Sequence, residues 1–397
     1  MTNLRLLLHQ LRARADDQRE PHDARTARVI GTATGLALLI CFVTGLISHL
    51  HQHPVGWFDP PSRPVWGYQL SQGLHVASGI AAVPLVLAKL WVVFPRLFTW
   101  PPVRGLAHGL ERMLIAPLVA ATLFELVSGL VNIAQWYPWR FFFPRVHWAV
   151  AWVVLGSVLV HLAVKAPLLR RNAIRAPVDE PLGGDQPLGG DRPDPDAAPS
   201  GSRRAVVLGV GAAVGAVTLA TAGQTIAPLR RLSLLAPRRP DEAPQGVPIN
   251  RTADAAGVLL SARDPGWRLT VAGARTLELG LADLAALPQY QARLPIACVE
   301  GWSATALWTG VRLSDVLDLA GVGPEAHLTV VSLERTGLYG TSPIGPSVAR
   351  DPLTLLALRL AGEPLTLDHG YPVRLIAPNR PGVQQTKWLS RIEVRQP

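Results

Sequence analysis

Apolar positions along the chain fall into two regimes. In the first half they form long stretches with few interruptions, at about 29–50, 70–94, 113–134 and 146–168. Each is close to the roughly 20 residues that cross a bilayer as helix. A fifth stretch, about 205–227, is weaker, being mostly Ala, Gly, Val and Thr. From about Pro248 the pattern changes to short β-branched runs broken by Gly, Pro and Asp. Runs at 267–271, 294–298, 328–333, 372–377 and 388–394 predict strands, and 281–287, 313–320 and 352–360 predict short helices. Ser314 follows Trp308-Thr309-Gly310-Val311-Arg312 at a position suited to a helix cap. The expected fold is an all-α transmembrane four-helix bundle with a fifth span, joined to a C-terminal α+β domain.

Charge placement orients the spans. Arg5, Arg12, Arg14, Arg19, Arg25 and Arg28 precede the first; Lys89, Arg96, Arg104 and Arg112 follow the second; Lys165, Arg170, Arg171 and Arg175 follow the fourth. The loops around 51–69 and 135–145 hold few cations and many aromatics, among them Trp57, Trp66, Trp136 and Trp139. Positive ends inside and aromatic belts outside give a cytoplasmic N-terminus, and five spans then place the C-terminal domain outside the cytoplasm. The expected organisation is a cytoplasmic N-terminal segment (1–28), a four-helix domain (29–175), a linker (176–203), the fifth span (204–227) and an extracytoplasmic domain (248–397). The Arg-rich polar start does not read as a signal peptide. The linker repeats Pro-Leu-Gly-Gly-Asp at 181–185 and 187–191, a composition that builds no core. It ends in Ser202-Arg203-Arg204-Ala205-Val206-Val207 before the weakly hydrophobic fifth span, like a twin-arginine export signal. Arg-Arg also occurs at 170–171, 230–231 and 238–239, so an ordinary positive flank is the competing reading; the position directly before the span that must deliver the C-terminal domain favours export.

Composition narrows the classes. Hydrophobic residues make up 49% of the chain and charged residues 17%, well below the roughly 25% charged of soluble proteins. The net charge of +10 raises nucleic acid as a partner, but the cations cluster at the ends of apolar runs rather than on one face. No nucleic acid is expected. The chain has 2 cysteines, Cys41 and Cys298, which excludes a disulfide framework or a four-cysteine zinc site. Cys41, in mid-span, reads as core packing.

Ionisable side chains in membrane spans generally have a function. His49 closes the first span, His75 opens the second and His147 opens the fourth. His161 follows His147 by fourteen residues, about 21 Å along the axis and within about 40° of the same face. A haem iron takes imidazoles from facing helices at matching depth. His75 and His147 meet that condition best, with His49 as substitute. His161 has the spacing of a second, inner ligand without an evident partner, and His108 lies too far towards the cytoplasm. One haem b is expected, with two as the variant. His51 and His53 suggest a polar loop near a quinone or haem edge more than a metal site. The competing reading is of interfacial histidines bonded to loops or headgroups, in a plain anchor without haem. Helix number and histidine placement together resemble a membrane b-type cytochrome, which implies quinone or quinol as electron partner.

In the second half one segment carries chemistry: Leu294-Pro295-Ile296-Ala297-Cys298-Val299-Glu300-Gly301-Trp302-Ser303, followed by Trp308-Thr309-Gly310 and Leu313. A cysteine that ends a strand and enters a glycine-containing turn is placed to present sulfur to a ligand, and a soft thiolate suits a transition metal. From the residues alone Cys298 reads equally as a buried small hydrophobe. Glu300 reads as an acid bracing the turn. A second block is His369-Gly370-Tyr371-Pro372-Val373-Arg374-Leu375, then Gly382 and Lys387-Trp388-Leu389.

These two blocks resemble, in order, the cofactor-binding heart of the sulfite oxidase superfamily of molybdopterin oxidoreductases. The resemblance implies Cys298 as molybdenum ligand and catalytic residue. It implies His369, Arg374 and Lys387 as contacts to the pterin phosphate, a role that suits the Arg fork and the Lys point charge. Arg293, Trp302 and Ser303 are implied as wall residues. Trp302, Trp308 and Trp388 also read as plain core, and Arg374 and Lys387 as solvated strand-face charges. Sulfite oxidases of the superfamily add a dimerisation domain and often a soluble haem domain, neither of which is expected here. Sulfite also requires converging cations, for which Arg293, Arg335 and Arg350 are the candidates. Sulfite oxidation is therefore not the expected reaction. The architecture is more like a periplasmic methionine sulfoxide reductase fused to its haem-bearing membrane subunit, an analogy that does not extend to substrate. What is implied is a molybdenum-molybdopterin oxidoreductase acting on a small-molecule substrate by oxygen-atom transfer, with a further redox partner left open. The alternative is a membrane-anchored binding protein whose cofactor fold is catalytically inactive.

Overall fold

The computed structural model describes residues 24–97, 105–174, 203–335, 337 and 339–395; the N-terminal segment before residue 24 and the linker 176–202 lie outside the described residues. Among the described residues five helices are long and apolar enough to cross a membrane: α1 (Ala24–Gln52), α2 (Gly67–Leu97), α3 (Leu106–Ile133), α4 (Phe143–Ile174) and α5 (Arg203–Ala222). They coincide with the five apolar stretches, each extended by a few residues. α5 is the exception. It stops at Ala222 rather than 227, because the chain turns at Gly223, whose N–H is bonded to the Ser233 hydroxyl. A Cβ at Gly223 would overlap the Leu229 carbonyl. A 3₁₀ turn, Ala227–Leu232, follows.

The chain divides into two compact units. One gathers the described residues of Met1–Leu39, Gly79–Asn132 and Trp136–Val217; the other comprises Ile40–Ser78, Ile133–Gln135 and Thr218–Pro397. In the first, small residues set the packing: Ala27, Ile30 and Ala37 of α1 are buried with Ala82, Leu85 and Val92 of α2. Val206, Val210 and Val214 of α5 pack against these clusters. Many large apolar side chains of these helices are exposed, among them Val29, Leu36, Leu87, Met113 and Leu159.

In the second unit ten strands form two five-stranded sheets. The first has the order β2-β1-β10-β5-β6, from β1 (Leu269–Val271), β2 (Leu277–Leu279), β5 (Leu328–Ser332), β6 (Thr341–Ile344) and β10 (Leu389–Val394). Its β1–β10 pair is parallel, with Thr270 opposite Arg391. The second runs β3-β4-β7-β8, from β3 (Tyr290–Ala297), β4 (Ser303–Arg312), β7 (Leu355–Leu360) and β8 (Glu363–Pro364), with β9 (Arg374–Ile376) paired to β7. Short helices α6 (Leu281–Ala286), α7 (Leu313–Leu319) and α8 (Pro346–Ala349) complete the α+β fold. One core contains Leu269, Val271, Leu313, Leu328, Leu375 and Ile392; a second contains Leu294, Ile296, Cys298, Trp308, Leu355 and Ile376.

Two expectations are corrected. Residues 352–360 were expected as a helix, but Leu355–Leu360 is strand β7, paired with β4, β8 and β9. The run Leu355-Leu356-Ala357 is buried without alternation, as in a strand covered on both faces, and tertiary pairing overrides the helix preference of leucine. Ser314 does not cap a helix from a loop. β4 continues to Arg312, which is itself the N-cap of α7, and the Ser314 hydroxyl bonds to Asp315 within the first turn.

The loop between α1 and α2 is stitched to the sheets within this unit. Asn379 accepts the N–H of Tyr68 (2.6 Å), satisfying an amide of the first turn of α2 that has no partner within the helix. Its Nδ2 donates to Pro61 O (2.7 Å), Gln384 Nε2 donates to Gln52 O (2.8 Å), and Arg63 pairs with Asp351 (3.1 Å).

Candidate active site

Cys298 lies immediately after β3, in the turn that leads to β4, and is 1% exposed. The turn is closed by Cys298 N–H donating to Trp302 O (2.9 Å) and Gly301 N–H donating to Cys298 O (3.0 Å). Gly301 has φ 85°, a conformation that favours glycine. Trp302 Nε1 donates to Glu300 Oε2 (3.0 Å), so Glu300 braces the turn as expected of it. Burial raises the Glu300 carboxyl, with Trp302 and Gln135 acting the other way. Burial also pushes the Cys298 thiol up, helped by Glu300 and opposed by Lys387.

The second block supplies cations from β9 and from the segment that follows it. Arg374 is buried on β9, its guanidinium 5.3 Å from the Trp308 ring centre, with Nη1 donating to His369 O (3.4 Å). Burial lowers it to about 10. Lys387 Nζ donates to the carbonyls of Arg251 and Asp368, and burial followed by the charge of Arg374 lowers it to about 7. Gly370, at φ 108°, allows this approach: a Cβ there would lie 3.0 Å from Lys387 Cβ. His369 donates from Nε2 to Pro244 O (2.9 Å), and burial lowers it to about 4. It is therefore a neutral imidazole at pH 7, not a third cation.

Other implied wall residues have different places. Arg293 is exposed, because β3 alternates and Ala292 and Leu294 are its inward positions. It does not join the cluster. Ser303 is buried, but its hydroxyl is committed to Gln69 and Thr225 rather than to a bound group. Trp302 sits in the core around Cys298 and braces Glu300. Arg335 is exposed, and Arg350 is bonded to Asp318 and to Val322 O. The further buried cation is Arg380, which sequence reasoning missed. It donates to Gln384 O (2.9 Å) and Pro343 O (2.6 Å), and burial lowers it to about 9. Its neighbour Pro381 bridges to Ala297, beside Cys298. The only signal in sequence was its position two residues before Gly382.

The cluster suits an anionic, polydentate cofactor. Arg374 Nε and Trp308 Nε1 are buried donors with no partner among the described residues. No carboxylate is hydrogen-bonded to Arg374 or Lys387 among the described residues. Buried cations and donors left this way are costly unless an anion completes them. A pterin phosphate supplies acceptor oxygens, and a soft metal suits the Cys298 thiolate.

In the helices, His75 Nδ1 lies 2.9 Å from Cys41 O and 3.2 Å from Thr44 Oγ1, and a Cβ at Gly45 would lie 3.2 Å from the ring. His147 Nδ1 lies 2.9 Å from Glu125 Oε2 and 3.4 Å from Ser128 Oγ, with the Gly129 Cβ position 4.0 Å from the ring. The two arrangements repeat: a hydroxyl-glycine pair with an acceptor four residues before the glycine. His49 stacks on His53, centres 4.6 Å apart, and His161 is half-buried on α4. No group of three or more His, Cys, Asp or Glu side chains suited to a metal occurs among the described residues.

Comparison with known proteins accords with the C-terminal site. Residues 256–397 match the oxidoreductase molybdopterin binding domain family. Human mitochondrial sulfite oxidase is 34% identical over 158 residues, covering 32% of this chain and 29% of that protein. The uncharacterised oxidoreductase YuiH of Bacillus subtilis is 35% identical over 130 residues, covering 32% of this chain and 64% of that protein. The sulfane dehydrogenase SoxCD of Paracoccus pantotrophus aligns structurally over 33% of this chain and 38% of its own, at 24% identity and a TM-score of 0.30. The chain thus spans under a third of the human relative and just under two thirds of the Bacillus one. Over its C-terminal region this chain is similar to molybdopterin-binding oxidoreductase domains, those of sulfite oxidases among them.

Proposed function

We propose that the whole chain is a membrane-bound oxidoreductase that exchanges electrons between the quinone pool and a small extracytoplasmic substrate by oxygen-atom transfer, as a sulfoxide-type reductase does. The observation that carries this reading is the buried Cys298 with the cations Arg374 and Lys387 and the Trp308 indole, of which Arg374 Nε and Trp308 Nε1 have no acceptor among the described residues. Cys298 would hold the metal as thiolate. Burial opposes that form, and the two cations favour it. Arg374, Lys387 and the Trp308 indole would hold the phosphate and pterin. When bound, the cofactor supplies two-electron oxygen-atom exchange, which in the reducing direction consumes two protons and releases water.

A b-type haem in the helices is supported by the repeated histidine arrangement. In each, Nδ1 meets an acceptor on the preceding helix, which fixes the tautomer and makes Nε2 the nitrogen that would bind a metal. A glycine lies against each ring, where a side chain would crowd it. His75 and His147 are the ligands favoured over His49, whose ring is stacked on His53. The residues fit the group, and an outer haem would receive electrons from quinol. The cation distribution supports a cytoplasmic N-terminus with the catalytic domain outside.

The test is elemental analysis of the chain purified from its native membrane. About one molybdenum with one or two irons per chain is expected. Molybdenum without iron would reduce the helices to an anchor. Iron without molybdenum, from cells competent in cofactor synthesis, would overturn the assignment of Cys298.

A further inference from the structure

Residues outside the matched domain grip the Cys298 turn. Ser303 opens β4 opposite Ala297, yet its N–H donates to Gln224 O (2.8 Å), after the end of α5. Its hydroxyl donates to Thr225 O (2.9 Å) and accepts from Gln69 Nε2 on α2 (3.0 Å). At 3% exposure Ser303 makes all three bonds away from water. In the same turn a Cβ at Gly301 would lie 3.2 Å from Ile133, 3.3 Å from Val76 and 3.4 Å from Gln224 Nε2. Parts of α2, α3 and the chain after α5 therefore bound the turn, and none of them falls within residues 256–397. The turn's own restraints are two backbone bonds around a glycine and the bond from the Trp302 indole to Glu300. Such a segment leaves the direction of the sulfur loosely set unless something outside holds it.

We propose that Gln69 is a positioning residue for Cys298: through Ser303 it fixes the turn that aims the thiolate, so the metal-binding geometry of the C-terminal domain depends on α2. The inference rests on the reading of Cys298 as ligand. It follows the general rule that groups bonded to a ligand's surroundings set its orientation. Of the bonds at Ser303, those it donates to Gln224 and Thr225 end on backbone carbonyls, so Gln69 is the side chain whose removal isolates the effect.

The full chain is prepared from cells unable to make the pterin cofactor and exposed to iodoacetamide under native conditions. Alkylation of Cys298 is followed by peptide mass spectrometry, with Cys41 as internal reference. When the turn recloses faster than it reacts, the rate follows the opening equilibrium. Gln69→Leu is expected to raise the Cys298 rate about fivefold, the factor for one buried hydrogen bond, and leave Cys41 unchanged. Ser303→Ala, which removes the bonds to both Gln69 and Thr225, should raise it at least as much. The double variant should add little to Ser303→Ala, since the Gln69 bond is already gone, whereas Ser303→Thr should keep the wild-type rate. In the loaded protein Gln69→Leu should shift the thiolate-to-metal charge-transfer absorption. A wild-type Cys298 rate in Gln69→Leu, equal acceleration of Cys41, or single effects that simply multiply would overturn the proposal. Absence of the charge-transfer band from the loaded wild-type protein would instead overturn the ligand reading on which it rests.

Discussion

Lys387 ties the cofactor site to stability. Burial and the charge of Arg374 lower its ammonium from 10.5 to about 7 in the folded protein. Between those values the unfolded chain binds about one proton more than the folded one, so stability of the cofactor-free protein rises with pH there. The slope is about 1.4 kcal/mol per pH unit, or about 2 kcal/mol from pH 7.5 to 9. At pH 7.5 the lysine costs about 4 kcal/mol relative to a group with the same pKa in both states. Lys387→Met removes that cost but leaves the carbonyls of Arg251 and Asp368 without their donor, at about 1 kcal/mol each. A net stabilisation of about 2 kcal/mol at pH 7.5 is expected, vanishing by about pH 9 as the wild type catches up. Above pH 9 Arg380 adds stability with rising pH, and the raised Cys298 thiol subtracts it. The assay is therefore the thermal unfolding midpoint of cofactor-free wild type and variant in detergent, by tryptophan fluorescence, between pH 7 and 9. A gap that stays constant over that range would refute a buried lysine titrating near neutrality. With the cofactor loaded, the phosphate should hold Lys387 charged, and the wild-type slope should disappear.

Other predictions follow from the same geometry. Gly301→Ala combines a positive φ with contacts at 3.2 and 3.3 Å to Ile133 and Val76. It should cost about 1–3 kcal/mol in thermal unfolding and lower molybdenum per chain; wild-type values of both would contradict the strain. Cys298→Ala should abolish substrate turnover while leaving the haem spectrum unchanged, and surviving turnover would remove the thiolate from the mechanism. His75→Ala and His147→Ala should each lose the Soret band, and retention in both would make the helices a plain anchor.

Much of this molecule is legible in one dimension. Spans of about 20 apolar residues are set by length and composition, so α1 to α4 needed no tertiary information. Cys298, Arg374 and Lys387 were named from local motifs and are brought together in the core around β3, β4 and β9. Residues 352–360 were misread because a leucine-rich run buried on both faces carries no alternation to separate strand from helix.

Local pattern thus determined most of the elements and the residues that bear charge, and the resemblance of two motifs to a known family supplied the cofactor class. Tertiary structure alone decided which of those charges converge. Arg293 faces water because β3 alternates, whereas Arg380 is buried because its loop folds beside Ala297. It also decided that His369 is neutral, since burial and the charge of Arg374 act across positions that sequence does not relate. Gln69 reaches Ser303 across 234 positions. A hydrogen bond depends on distance in space, and only the folded chain sets that distance.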